Sequence, residues 1–279
     1  MGGPFEQVVF SGGGLRCYWQ GGFMDVVRDA LNLSPDRITG VSGGSMSAAG
    51  YIAHRGHDIL DRMCEAFRQT DANVNLNDLD ETHGRTPHQR IFHDVLNDVL
   101  DATATAKIAN GPAFQVQIAR PPGHRLPGLS GTAMTAAYEA ELHLVNSPHF
   151  SWAEKAGLTA ELVDGRAAAR DGALTKLIEA AVTIPPIFRT LEWDGAPVVD
   201  GGMADQAPMP DPDKGRTLVL LTRQYRRLPE VANRHYVTPS DETPADKIDF
   251  TDPDKLRRTW DLGKRDGEAF LKNWNQKEE

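Results

Sequence analysis

The sequence predicts an α/β fold built on a parallel, helix-covered sheet. Two strand-turn-helix units stand in the first 55 residues, and parallel strands require such crossovers. A fully apolar run at residues 217–222 has the character of a strand buried on both faces. The 26 glycines and 18 prolines, bunched rather than spread, point to where function is to be sought.

The first unit opens with Val8-Val9-Phe10, a β-branched and aromatic run that enters Ser11-Gly12-Gly13-Gly14. Over residues 18–31, Trp19, Phe23, Val26, Val27 and Ala30 then recur at helical spacing. The second unit repeats the plan: Arg37-Ile38-Thr39 leads into Gly40-Val41-Ser42-Gly43-Gly44, and residues 45–53 are small and helix-compatible. Ile59, Leu60, Met63 and Phe67 predict an amphipathic helix over residues 57–70. The polar stretch 71–90 reads as loop or short helices, and 91–100 as helix again.

Residues 114–118 alternate with period two, as a half-solvated strand does, and the proline- and glycine-rich stretch 121–128 breaks regular structure. A helix over 174–182 runs into Pro185-Pro186. Residues 191–199 read as a hairpin turned at Asp194-Gly195, and its second strand delivers Asp200-Gly201-Gly202. After the apolar strand at 217–222 the tail becomes charge-dense, yet Leu256, Trp260, Phe270, Leu271 and Trp274 share one helical face. They predict a terminal helix over about residues 254–275 that docks on the sheet. No repeat, low-complexity segment or linker divides the chain, so residues 1–279 are expected to form one domain.

Composition removes several function classes. Forty per cent apolar and 25% charged residues fit a globular chain and not a disordered one. Thirty Lys and Arg against 39 Asp and Glu give a net charge of −9, which argues against a nucleic-acid partner. Cys17 and Cys64 form neither a disulfide framework nor a zinc motif, and no metal or cofactor is expected. No apolar run approaches the ~20 residues that cross a bilayer, and the first residues lack a basic lead into an apolar stretch. A cytoplasmic chain is the expectation.

Chemistry gathers at three places. Gly40-Val41-Ser42-Gly43-Gly44 fits the G-x-S-x-G nucleophile elbow, in which a strand turns sharply into a helix and the apex serine projects at the helix N-terminus. Taken alone, a Gly-Ser-Gly turn is common. Ser11-Gly12-Gly13-Gly14 follows a strand, and successive glycine N–H groups there are able to converge on an oxyanion. A dinucleotide loop is the competing reading, and it fails because Cys17 occupies the sixth position and no acidic residue follows about 20 residues on. Asp200 ends a strand and is followed by two glycines, which also describes a plain turn. The order Ser42, Asp200, His235 would suit an α/β-hydrolase, but only 41 residues precede Ser42, too few for the strands that fold places first.

Four blocks in order and spacing decide among these readings. Ser11-Gly12-Gly13-Gly14-Leu15-Arg16, Gly40-Val41-Ser42-Gly43-Gly44, the run from Ala181 to Phe188, and Asp200-Gly201-Gly202 resemble the patatin-like phospholipases across roughly residues 6–230. The resemblance implies a three-layer α/β/α sandwich with a mostly parallel central sheet. It also implies a Ser-Asp dyad of Ser42 and Asp200, with an oxyanion loop of Gly12, Gly13 and Gly14. Arg16, Gly40, Gly43, Gly44, Gly201 and Gly202 stand as supporting positions. The chain departs from the pattern at Cys17, where the family has glycine, and at Val182 and Thr183, where it often has serine. The implied activity is hydrolysis of lipid or other acyl esters, with transient contact at a membrane surface and no cofactor. An acyltransferase or thioesterase on the same scaffold stays open, as does oligomeric state. With Asp200 as base, the acid limb of activity is expected at about pH 4–5.5 instead of the ~6.5 of a histidine.

Overall fold

The computed structural model describes residues 3–69, 85–122, 147–149, 157–185 and 188–278. Among the described residues there are eight strands: β1 Gln7–Phe10, β2 Arg37–Val41, β3 Ala113–Arg120, β4 Thr159–Asp164, β5 Leu191–Trp193, β6 Ala196–Asp200, β7 Thr217–Leu220 and β8 Arg234–Val237. The helices before β3 are α1 Tyr18–Ala30, α2 Gly43–Ala53, α3 Gly56–Arg68, α4 Pro87–Val99 and α5 Ala102–Asn110. After it come α6 Gly165–Arg170, α7 Leu174–Ala181 and α8 Pro253–Glu278. The sheet runs β5-β6-β3-β2-β1-β7-β8, with β4 also paired to β3. The stretch from β3 to β8 is parallel, while β4 and β6 meet β3 antiparallel. The fold is therefore mixed α/β, with a central, mostly parallel sheet and flanking helices.

Alternate side chains of the central strands enter different cores. Val8, Phe10, Ile38, Val116, Leu218 and Leu220 join a large core to which every described helix contributes. Val9, Val219 and Leu221 pack with Ala207 on the opposite side. Apolar residues at both phases of the period-two repeat are what a strand buried on two faces requires. The C-terminal helix α8 lies across α1. There, Gly22 and Gly263 permit close approach, since a Cβ on either would meet the Trp260 or the Trp19 carbonyl oxygen. Trp19 Nε1 donates to Asp266 Oδ2 at 2.7 Å across the same crossing.

The register around β3 sets up the site. Gln115 pairs with Thr39 of β2 and also with Asp164 of β4, so those strands lie on opposite edges of β3. Ile118 pairs with Glu161 of β4 and with Asp200 of β6, which puts β6 on the same edge as β2. β2 climbs that edge to Val41, opposite Gln117, while β6 descends it to Asp200, opposite Ile118. Two strand C-termini thus meet head to head, one register step apart.

Several expectations change. The helix expected from residue 91 begins at Pro87, inside the stretch read as loop or short helices: Thr86 accepts from the Gln89 N–H and the Gln89 side chain accepts from the Thr86 N–H, a capping box that starts α4. The alanine- and threonine-rich α5 has no broad apolar stripe, β4 is largely solvent-facing, and α6 is a six-residue helix, so none carries a periodic signal. The hairpin turns at Asp194 and Gly195 with φ of 50° and 72°, the two positive values a type I′ turn demands. Residue 70, the expected end of a helix, residues 71–84, read as loop or short helices, and residues 123–128, read as a break in regular structure, lie outside the described residues.

Candidate active site

Ser42 caps α2 with φ 54° and ψ −137°, a conformation that costs a non-glycine residue about 1–3 kcal/mol. The elbow tolerates it because its neighbours are small. Gly44 lies against the Phe10 and Ser11 carbonyl oxygens, where a Cβ has no room, and this contact holds the start of α2 against the glycine loop. Gly40 abuts Ser45, and Gly43 abuts the Gly14 carbonyl.

The Ser42 hydroxyl donates to Asp200 Oδ2 at 2.5 Å. Both residues are buried, Asp200 completely. The other carboxylate oxygen, Oδ1, accepts the Gly202 N–H at 2.6 Å, and the Asp200 N–H donates to the Thr183 carbonyl at 2.7 Å. Gly201 and Gly202 open the short 3-10 turn after β6, and Gly201 lies against the Gln117 carbonyl. Burial pushes the Asp200 carboxyl up to about 6, against the lowering effect of the Ser42 hydrogen bond, the Lys247 charge and the Gly202 N–H. This lies above the pH 4–5.5 expected from the sequence, since no sequence pattern shows that the carboxylate is fully desolvated.

The glycine loop divides in two. The Gly12 N–H donates to the Gln206 carbonyl at 2.9 Å, and the Gly12 carbonyl accepts Thr222 Oγ1 at 2.6 Å. That corrects the sequence reading, since an N–H already bonded to a carbonyl has nothing left for an oxyanion. The Gly13 and Gly14 N–H groups have no acceptor among the described residues. Gly14 takes φ 59°, and a Cβ there would run into the Lys247 carbonyl. Arg16 Nε donates to the Gly13 carbonyl at 3.3 Å and so braces the loop. Gln20 Nε2 reaches the Ser11 and Leu220 carbonyls at 3.0 and 2.9 Å, tying the loop to the β1–β7 end of the sheet.

Sequence reasoning does not single out Gln20, Gln206 or Lys247, and it names Thr183 only as a departure from the family pattern and residue 222 only as the end of a strand. Each acts through backbone contacts or a through-space charge, and neither leaves a spacing pattern. His235 is where the sequence order misleads. It sits in β8 level with Ile38, through Leu218 and Val8, three strands across and four residues back from Ser42. At ~4.8 Å per strand it lies roughly 14 Å away laterally, and its ring packs against Phe5, Phe270 and Trp274.

Beside Ser42 a small cavity of about 50 Å³ is walled by Leu15, Met46, Phe92, Ile184, Phe188 and Phe250. The block from residue 181 thereby supplies part of an apolar wall as well as the Thr183 carbonyl. Among the described residues there is no cluster able to hold a metal ion, and no helix is long and apolar enough to cross a membrane.

Fold and geometry together define a class: mixed α/β proteins with a serine at a strand-to-helix elbow and a carboxylate on the adjoining strand end. The chain belongs to the patatin-like phospholipase family, whose model matches residues 8–212, and membership implies lipid acyl hydrolysis. A search of curated proteins finds no match. Among solved structures, VipD from Legionella pneumophila aligns at 11% identity with a TM-score of 0.45, over 97% of this chain and 67% of that one.

Proposed function

We propose that the protein is a serine lipid-acyl hydrolase with Ser42 as nucleophile and Asp200 as its only side-chain base. The observation that carries this reading is the 2.5 Å hydrogen bond from the Ser42 hydroxyl to a fully buried carboxylate. In the first half-reaction Ser42 Oγ attacks the ester carbonyl carbon as its proton passes to Asp200 Oδ2. The carbonyl oxygen becomes an oxyanion, held by the Gly13 and Gly14 N–H groups and by the positive end of α2. Collapse breaks the ester C–O bond, and the departing alkoxide takes the proton from Asp200. Water then attacks the acyl group on Ser42, giving its proton to Asp200. When the carboxylic acid leaves, that proton returns to Ser42.

A carboxyl near 6 suits both roles, since it is mostly ionised at neutral pH and yet basic enough to accept a proton. The apolar walls beside Ser42 favour the acyl chain of a lipid over a polar acyl group.

The test is labelling with a fluorophosphonate followed by peptide mapping, with Ser42→Ala as the partner variant. Label confined to Ser42, with ester turnover reduced at least ~10³-fold in a folded Ser42→Ala protein, is the expected result. Near wild-type turnover in that variant overturns the reading.

A further inference from the structure

Behind the small cavity lies a second one of about 230 Å³, over four times larger, between α1, α2 and α3. Its buried lining is mainly apolar, with Phe10, Met24 and Ile59, and also includes Cys17, Tyr18 and Tyr51. Its outer rim carries Asp25, Arg28, His54 and His57. Met46 is the one described residue that lines both cavities. It stands four residues after Ser42, one helical turn along α2 and on the same face. It is 4% exposed, so its side chain is a partition between two spaces and not a surface group.

We infer that Met46 is a gate, and that the larger cavity is a distal subsite for the acyl chain of longer substrates. This rests on the assignment of Ser42 as nucleophile, because the chain must start from the acyl carbon that Ser42 attacks. A tail entering from Ser42 fills the small cavity within a few carbons and then meets the methionine. Methionine suits such a place: it is unbranched, has three rotatable bonds, and gives way where Leu or Phe would stay rigid. With the side chain swung aside, further methylenes pass from water into contact with Phe10, Met24 and Ile59. The charged rim ends the subsite, since a methyl terminus reaching Arg28 and His54 leaves apolar surroundings and gains nothing more. Arg28 is fixed there, donating to the Tyr51 carbonyl at 2.9 Å and lying 4.1 Å over the Tyr51 ring.

The experiment measures kcat/KM over p-nitrophenyl esters from acetate to myristate, with a parallel titration of free fatty acids of matching lengths. For wild type, specificity rises about fourfold per methylene while the tail fills apolar space, then levels off. Met46→Ala moves the optimum at least two carbons longer, and Met46→Phe moves it shorter. Refilling the distal space in the double variant Met46→Ala/Met24→Phe returns the optimum toward that of wild type. That reversal separates a true subsite from local loosening of α2. An unmoved optimum in a folded Met46→Ala protein overturns the gate, as does a gain that survives the refilling. Wild type inactive on every ester, including acetate, overturns the dyad instead. In that case the length optimum of fatty-acid binding still decides the gate, because it needs no turnover.

Discussion

Replacing Asp200 by Asn should abolish activity and, at neutral pH and above, make the protein more stable. Burial holds the carboxyl at about 6 against an ordinary 3.8, so the folded protein keeps a proton that the unfolded chain has already released. The sign follows from linkage: stability associated with Asp200 is full below the unfolded value and is lost as pH rises through the folded one. Relative to a neutral isostere, the cost is under about 1 kcal/mol at pH 4 and grows to roughly 3 kcal/mol above pH 7, taking ~1.36 kcal/mol for each tenfold difference in proton affinity between the folded and unfolded chain. Asn keeps an oxygen for the Gly202 N–H and turns its amide toward Ser42 Oγ, so no packing is lost. Urea unfolding of wild type and Asp200→Asn at pH 5 and pH 8 reads the difference directly. The expected gain at pH 8 exceeds that at pH 5 by on the order of 1 kcal/mol, with turnover lost throughout. A gain that does not change with pH, or a net loss at pH 8, would show that the carboxylate is not the desolvated group described above.

The acid limb of kcat/KM on a soluble ester should fall near pH 6, the value set by Asp200. Lys247→Gln removes a positive charge that lowers this value and should move the limb upward; a limb that stays or drops refutes the coupling. His235→Ala should keep turnover within about twofold while losing roughly 1–2 kcal/mol of stability from its contacts with Phe5, Phe270 and Trp274, as measured by thermal melting. Gly14→Ala should cut kcat by at least ~10²-fold, since its Cβ displaces the loop from the Lys247 carbonyl; near-normal kcat would exclude the Gly13–Gly14 amides from oxyanion binding.

What is legible in the sequence is whatever repeats or clusters. Val8-Val9-Phe10 followed by glycines, and Arg37-Ile38-Thr39 followed by the elbow, carry both a strand period and a break, and the structure forms β1 and β2 there. β8 escapes a sequence reading because Arg-His-Tyr-Val is half-buried and short, and β4 because its pairing to β3 comes from register and not from an apolar pattern. Within the site, the serine, the glycines and the aspartate stand beside conformationally special neighbours and so announce themselves. Gln206 and Lys247 act on the loop and on the carboxylate from 194 and 47 residues away in sequence, from Gly12 and Asp200 respectively, which no local pattern records. The same limit hides the pKa. Desolvation of Asp200 is a property of everything packed around it, not of Asp-Gly-Gly.

The meeting of β2 and β6 on one edge of β3 bears on how such a chain tolerates change. Ser42 and Asp200 are 158 positions apart along the chain, yet their spacing follows from the pairing of Val41 with Gln117 and of Asp200 with the adjacent Ile118. Insertions and deletions in the connections on either side of β3 alter the length of that path without altering the spacing, so the surrounding surfaces are free to diverge while the proposed pair stays put. A single residue inserted between Gln117 and Ile118 is different. It shifts one partner by ~3.3 Å relative to the other and turns its side chain to the opposite face of the sheet. The most length-sensitive position for the proposed chemistry is therefore in a strand that contributes neither member of the pair.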